Sequence, residues 1–174
     1  MTKLLRMTAL AASVAATAIA ATPAVAAPVG AATPATARAR IVKPLVLTRV
    51  ANLDFGTITL GTVAAGGETV SMSQLGVVSC GSGGLTCSGA PVSAQYNVQG
   101  TNNQVVQIFA VASSLTNAND GSTLSFTPNA PATATMPNSG NSGVNFNVGG
   151  SITIVPATTD GVYTGNINVT VDYQ

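Results

Sequence analysis

Gly161-Val162-Tyr163-Thr164-Gly165-Asn166-Ile167-Asn168-Val169-Thr170-Val171-Asp172-Tyr173 is the stretch that decides the fold. Tyr163, Gly165, Ile167, Val169, Val171 and Tyr173 fall on one parity; Thr164, Asn166, Asn168, Thr170 and Asp172 fall on the other. Successive side chains of a strand point to opposite faces, so this period of two predicts a strand with an apolar face inward and a polar face outward. Wound as a helix, the same residues would scatter over every face and leave no stripe to bury.

Upstream the same signal recurs in shorter pieces. Ala94, Tyr96 and Val98 alternate with Gln95, Asn97 and Gln99; residues 100–103 turn the chain and residues 105–111 return as a more buried strand, which predicts a hairpin. Leu124 and Phe126 mark a short strand expected to end at Pro128, and residues 131–143 read as a loop. Val144, Phe146 and Val148 form a strand expected to break at Gly149-Gly150 before Ile152 and Ile154. Val70 and Met72 alternate with Ser71 and Ser73 after an Ala65-Gly66-Gly67 turn. Leu53 and Phe55 share one parity, Ile58 and Leu60 the other, with Gly56 at the switch, the pattern of a bulge. Residues 41–48 are rich in β-formers around Pro44, which suits an edge strand because proline brings no N–H to a ladder. No helical period follows the first segment of the chain. The expected fold is all-β, an immunoglobulin-like β-sandwich of about seven strands with scope for a further N-terminal strand.

The beginning of the chain points to export. Lys3 and Arg6 precede an apolar run that reaches Ala21, Pro23 ends it, and Ala24-Val25-Ala26 has the small-x-small form that signal peptidase reads. Residues 1–26 are therefore expected to be a cleaved signal peptide. The run is shorter than the ~20 residues a bilayer span needs, and no second one follows, so the mature protein is expected to have no membrane span. Cleavage would leave 148 of the 174 residues, enough for one domain with a hydrophobic core. Residues 27–36 read as a flexible Ala/Pro/Thr-rich lead-in and residues 37–174 as the sandwich domain. The expected location is the periplasm in transit, then the cell surface or the medium.

Arg38, Arg40, Lys43 and Arg49 stand against Asp54, Glu68, Asp120, Asp160 and Asp172, so the mature chain has net charge −1 and every base precedes every acid. That asymmetry favours contact between one copy's arm and another's body, in a salt-sensitive way; it equally suits a charged strand edge that keeps the protein soluble. So little charge gives weak repulsion between copies, so self-association is expected. Nucleic acid is not an expected partner, because no basic patch extends beyond the arm. Cys80 and Cys87, in an oxidising compartment, predict a disulfide closing a glycine-rich loop.

Catalytic constellations are missing. Histidine is absent, which removes the commonest general base and metal ligand. The acids have no paired spacing, and no nucleophile elbow, phosphate loop or zinc motif occurs. Asn117-Ala118-Asn119-Asp120-Gly121 lacks the ligand set of a calcium loop and reads as a turn. The expectation is a non-enzymatic protein without a cofactor.

Leu53-Asp54-Phe55-Gly56 and the ending over residues 161–173 carry a resemblance. Over about residues 37–174 the chain resembles the secreted proteobacterial family catalogued as domain of unknown function 4402. The same two features are similar to pilins of the chaperone–usher class, above all the archaic, spore-coat-U-like branch. In those pilins the last strand alternates apolar residues, ends on a penultimate aromatic and carries a glycine fourteen residues from the end, positions held here by Tyr173 and Gly161. The resemblance implies a sandwich lacking one strand. A periplasmic chaperone would first fill the groove beside the last strand, and at an outer-membrane usher the N-terminal arm of the next copy would replace it. Gly161, Tyr163, Ile167, Val169, Val171 and Tyr173 would then line the acceptor groove, and Ile41, Leu45 and Leu47 would belong to the donor strand within residues 37–48. The implied function is a structural subunit of a fimbria or pilus, contributing to adhesion, with copies of itself as partners. Lys43 on the inserting face, Pro44 beside it and the mid-chain position of both cysteines depart from the pilin pattern. They favour the alternative in which residues 37–48 form this domain's own first strand, leaving a self-complete secreted or surface sandwich of structural or adhesive role.

Overall fold

Alternation becomes antiparallel pairing along the whole domain. The computed structural model describes residues 26–138 and 142–174, so nearly all of the predicted signal peptide, residues 1–25, lies outside the described residues. The chain divides into two units, Met1–Ala39 and Arg40–Gln174. In the first, residues 26–39 are exposed and form no strand. The second carries thirteen strands among the described residues, and no helix. They are β1 (Val46–Ala51), β2 (Thr57–Leu60), β3 (Glu68–Met72), β4 (Val78–Cys80), β5 (Leu85–Ser88), β6 (Ala94–Gln99), β7 (Val105–Val111), β8 (Ser113–Asn117), β9 (Thr123–Asn129), β10 (Thr133–Thr135), β11 (Val144–Ile154), β12 (Tyr163–Thr164) and β13 (Asn168–Tyr173).

One eight-stranded sheet runs β1-β6-β11-β9-β8-β12, with β3 and then β4 added through β11. A three-stranded sheet, β10-β7-β13, and a two-stranded ribbon, β2-β5, complete the set. The small sheet faces the β6 and β11 part of the large one. Val106 and Ile108 of β7 meet Ala94, Val98, Phe146 and Val148, giving the fold its sandwich-like layers. A second cluster, built on Val70, Met72, Phe126, Ile152 and Ile154, fills the other end. Leu53 and Ile167 pack against both clusters.

Several local expectations are revised. β11 does not break at Gly149-Gly150 but runs through it as eleven residues. A Cβ on Gly149 would stand 2.7 Å from the Ser73 carbonyl carbon, and one on Gly150 2.5 Å from the Phe126 ring, so these glycines permit close approach rather than a turn. β9 continues past Pro128 to Asn129; there its β8 ladder has ended and only β11 remains alongside, where a missing N–H is tolerated. Residues 131–143 contain β10, which pairs with β7, and the expected hairpin of residues 94–99 with 105–111 does not form: β6 pairs with β1 and β11, and β7 with β10 and β13. The first strand starts at Val46, after Pro44, rather than at residue 41. Gly56 marks a kink between β1 and β2, not a bulge within one strand. Its N–H bonds Asp54 Oδ1 at 2.8 Å, and its φ of 76° suits glycine.

The last apolar run keeps its parity but not one sheet. Tyr163, Ile167, Val169, Val171 and Tyr173 are half-buried and the residues between them are exposed. Yet β12 pairs with β8 in the large sheet, whereas β13 pairs with β7 in the small one. The crossover lies at residues 165–167. A Cβ on Gly165 would lie 2.9 Å from Leu115 Cδ2, so the crossing chain lies close on β8.

Candidate functional site

The two edges of the large sheet, β1 and β12, both reach one cleft of about 920 Å³. Residues 49–60 form one wall and residues 158–165 with Ile167 the other. Tyr96, Leu115, Leu124, Phe126, Ile152 and Ile154 form the bottom. The cleft therefore lies over the interior, with side chains of both core clusters beneath it. Exposed Leu60 and Val162 stand on opposite lips. Among the described residues β1 pairs only with β6, β12 only with β8 and β13 only with β7. Each thus keeps one edge of N–H and C=O groups open to another strand.

Each lip is held by a different device. On the first, Asp54 and Val92 exchange two backbone hydrogen bonds of 2.8 Å, and β2 is paired to β5. The Cys80–Cys87 disulfide, with Cα atoms 5.8 Å apart, ties β5 to β4 and so fastens the ribbon to the large sheet. Inside that loop the buried Glu68 carboxylate accepts hydrogen bonds from the N–H of Ser82 at 3.2 Å and of Gly84 at 3.0 Å. A Cβ on Gly81 would touch the same carboxylate at 2.5 Å, so the glycine-rich loop is shaped to close over Glu68.

The second lip hangs on Asn117, which is 1% exposed. Its Nδ2 donates to the Asp160 carbonyl at 3.0 Å and to Thr159 Oγ1 at 3.3 Å, and its Oδ1 accepts from the Asn119 N–H at 2.9 Å. Gly161, with φ of 146°, lies against this amide so closely that a Cβ would come within 2.8 Å of Asn117 Cγ. Tyr163 Oη donates to the Thr159 carbonyl and meets Ser122 Oγ, both at 2.9 Å. Asp120 accepts from Thr159 Oγ1 at 2.6 Å and from the Ser122 N–H at 2.9 Å; these bonds hold its carboxyl below the ordinary value. Residues 117–121 are thus a turn whose polar groups pin the opposite segment. At the bottom, Tyr96 stacks on Phe146 with ring centroids 5.7 Å apart; burial pushes its phenol up, and nearby Arg49 partly offsets that.

The predicted groove residues separate into two groups. Gly161, Tyr163 and Ile167 line the cleft. Val169, Val171 and Tyr173 lie beyond it, packed in the second cluster with β7. The predicted donor residues separate as well. Ile41 is 91% exposed, whereas Leu45 and Leu47 pack in this domain's own second cluster, Leu47 opposite Val98 in the β1–β6 ladder. Residues 40–43 are moored to the same end of the domain. The Arg40 guanidinium donates to the Gln174 carbonyl at 3.1 Å and also meets the Gln104 side chain. The Lys43 N–H donates to Thr101 Oγ1 at 2.7 Å. Tyr173 Oη donates to the Lys43 carbonyl at 2.6 Å and accepts from the Thr101 N–H at 2.8 Å. Sequence reasoning missed the roles of Asn117, Thr159 and Glu68; single polar residues such as the buried Asn117 and Glu68 carry no periodic signal.

An all-β domain with a cleft between two open strand edges is the class these observations define. The chain belongs to the family described as domain of unknown function DUF4402, whose model matches residues 45–173. No curated protein and no solved structure matches it.

Proposed function

We propose that this chain is an exported, non-enzymatic structural subunit of a surface fimbria, joined to further copies by a strand that one copy lays into the cleft of another. The observation that carries the reading is the cleft itself, set between two sheet edges with open backbone groups and a largely apolar bottom. A β-strand is the ligand such a site suits: its backbone completes the ladders and alternate side chains face the bottom. The similarity of the last strand to chaperone–usher pilins, with Gly161 and Tyr163 on the cleft wall, supports the same reading. A periplasmic chaperone and an outer-membrane usher are the partners this assembly requires.

The pairing of β1 with β6 favours a second reading, a self-complete surface sandwich whose cleft needs no strand. Periplasmic expression of the full chain without a chaperone separates the two, read by size-exclusion chromatography and by unheated gel electrophoresis. Heat-sensitive ladders, or aggregation relieved by adding the arm as a peptide, support strand exchange. A cooperatively melting monomer that ignores the peptide overturns it.

A further inference from the structure

Resting on the strand-exchange reading, we propose that the strand filling the cleft is residues 29–39 of a second copy, inserted with its odd-numbered side chains facing the bottom. Four observations single out this segment. First, the chain from Leu45 onward is already used. Leu45 and Leu47 pack in their own domain, and Val46–Ala51 is paired with β6. Second, residues 40–43 are moored by Arg40, by the Lys43 N–H and by Tyr173, so a strand donated elsewhere must lie before them. The domain's unit begins at Arg40, and residues 26–39 are exposed.

Third, the odd positions of residues 29–39 are uniformly small: Val29, Ala31, Thr33, Ala35, Ala37 and Ala39, none larger than valine, whereas the even positions, Gly30, Ala32, Pro34, Thr36 and Arg38, hold the proline ring and the charge. Small inward side chains suit a cleft whose bottom already carries Tyr96, Phe126 and Ile152, because overfilling a packed interior is destabilising. Arg40 and Lys43 close the segment with charge, and the clean parity fails at Lys43. Fourth, charge agrees. Arg38, on the outward face, would pass lips that carry Asp54 and Asp160. The donor is thereby placed N-terminal to Ile41, Leu45 and Leu47, and the joint between copies falls at the anchored residues 40–43.

The test uses the full mature chain and compares aspartate at inward and outward positions of the arm. Ala35→Asp and Ala37→Asp should each lower the yield of ladders at least about tenfold, because the cleft would have to take an unpaired carboxylate. Ala32→Asp and Thr36→Asp should stay within about twofold. All four should melt like the parent as monomers, since the arm lies outside the domain's core. Ladders that tolerate aspartate equally on both faces, or that survive deletion of residues 27–39, overturn the segment and its register while strand exchange stands. An arm-dependent monomer, with the cleft filled by its own chain, overturns the second copy as occupant. If the unmodified chain forms no ladders and its monomer melts the same with and without the arm, the inference and the assembly reading fall together.

Discussion

Replacing Asn117 by alanine should loosen the second lip of the cleft by an amount that the geometry sets. The amide makes three hydrogen bonds, at 2.9, 3.0 and 3.3 Å. At about 0.5–1.5 kcal/mol net for each, the full set is worth roughly 1.5–4.5 kcal/mol. The 3.3 Å bond should count least, because Thr159 Oγ1 keeps Asp120, Ser122 and Tyr163 as partners. Asp160 is exposed, so its carbonyl can turn to water. A loss of about 2–3 kcal/mol is expected, which for a domain of this size lowers the melting temperature by roughly 8–12 °C. Thermal unfolding followed by circular dichroism measures the shift. Hydrogen exchange adds a local readout: the Ala118 amide, which donates to the Val162 carbonyl at 3.2 Å, should lose protection. Asn117→Asp is the companion variant. It keeps the acceptor for the Asn119 N–H but sets a buried carboxylate oxygen against the Asp160 carbonyl, so it should be worse than alanine at neutral pH and recover as acid neutralises it. A melting temperature within about 2 °C of the parent for Asn117→Ala would refute the reasoning, because it would mean that Gly161 and the tyrosine network hold the lip without the amide.

Four further perturbations test the same structure. Tyr173→Phe removes the hydroxyl that joins the Lys43 carbonyl to the Thr101 N–H, and should cost about 1–2 kcal/mol in urea unfolding with faster exchange at Thr101. The Asp120 carboxyl is held below its ordinary value by Thr159 and Ser122, so its contribution to stability is present above the unfolded-state value near 3.9 and is lost as pH falls through the lower folded-state value. Asp120→Asn should therefore flatten the acid limb of melting temperature against pH, and an unchanged limb would contradict the role assigned to those bonds. Reduction of the Cys80–Cys87 disulfide should lower stability by about 2–3 kcal/mol, as expected for a short loop, and Glu68→Ala should lower it further by freeing the Ser82 and Gly84 amides. Differential scanning calorimetry with and without reductant reads both.

The burial of the last run illustrates what period two can and cannot say. Parity is a property of the backbone alone, so the alternation of Tyr163 to Tyr173 foretold which side chains turn inward, and they do. Parity carries no information about the neighbouring strand, and so could not show that the run leaves β8 for β7 at residues 165–167. Glycine was similarly ambiguous. Gly149 and Gly150 looked like a break because glycine often marks one, but the same residue also admits a close neighbour, and only the packing of Ser73 and Phe126 distinguishes the two. Leu45 and Leu47 had the alternation of a donor strand; the alternation of a domain's own first strand is the same.

By itself, then, the sequence determined the all-β class, the inward and outward residues of most strands, the disulfide pair and the charge asymmetry of arm and body. Each of these rests on local periodicity, composition or compartment. Only the tertiary structure decided that β1 and β12 are edges facing one cleft, that the arm is moored at Arg40 and Lys43, and that Asn117 and Glu68 fasten the lips. Those are contacts between residues 14 to 134 positions apart. Their existence depends on how the sheets close over a shared interior, which no local pattern encodes.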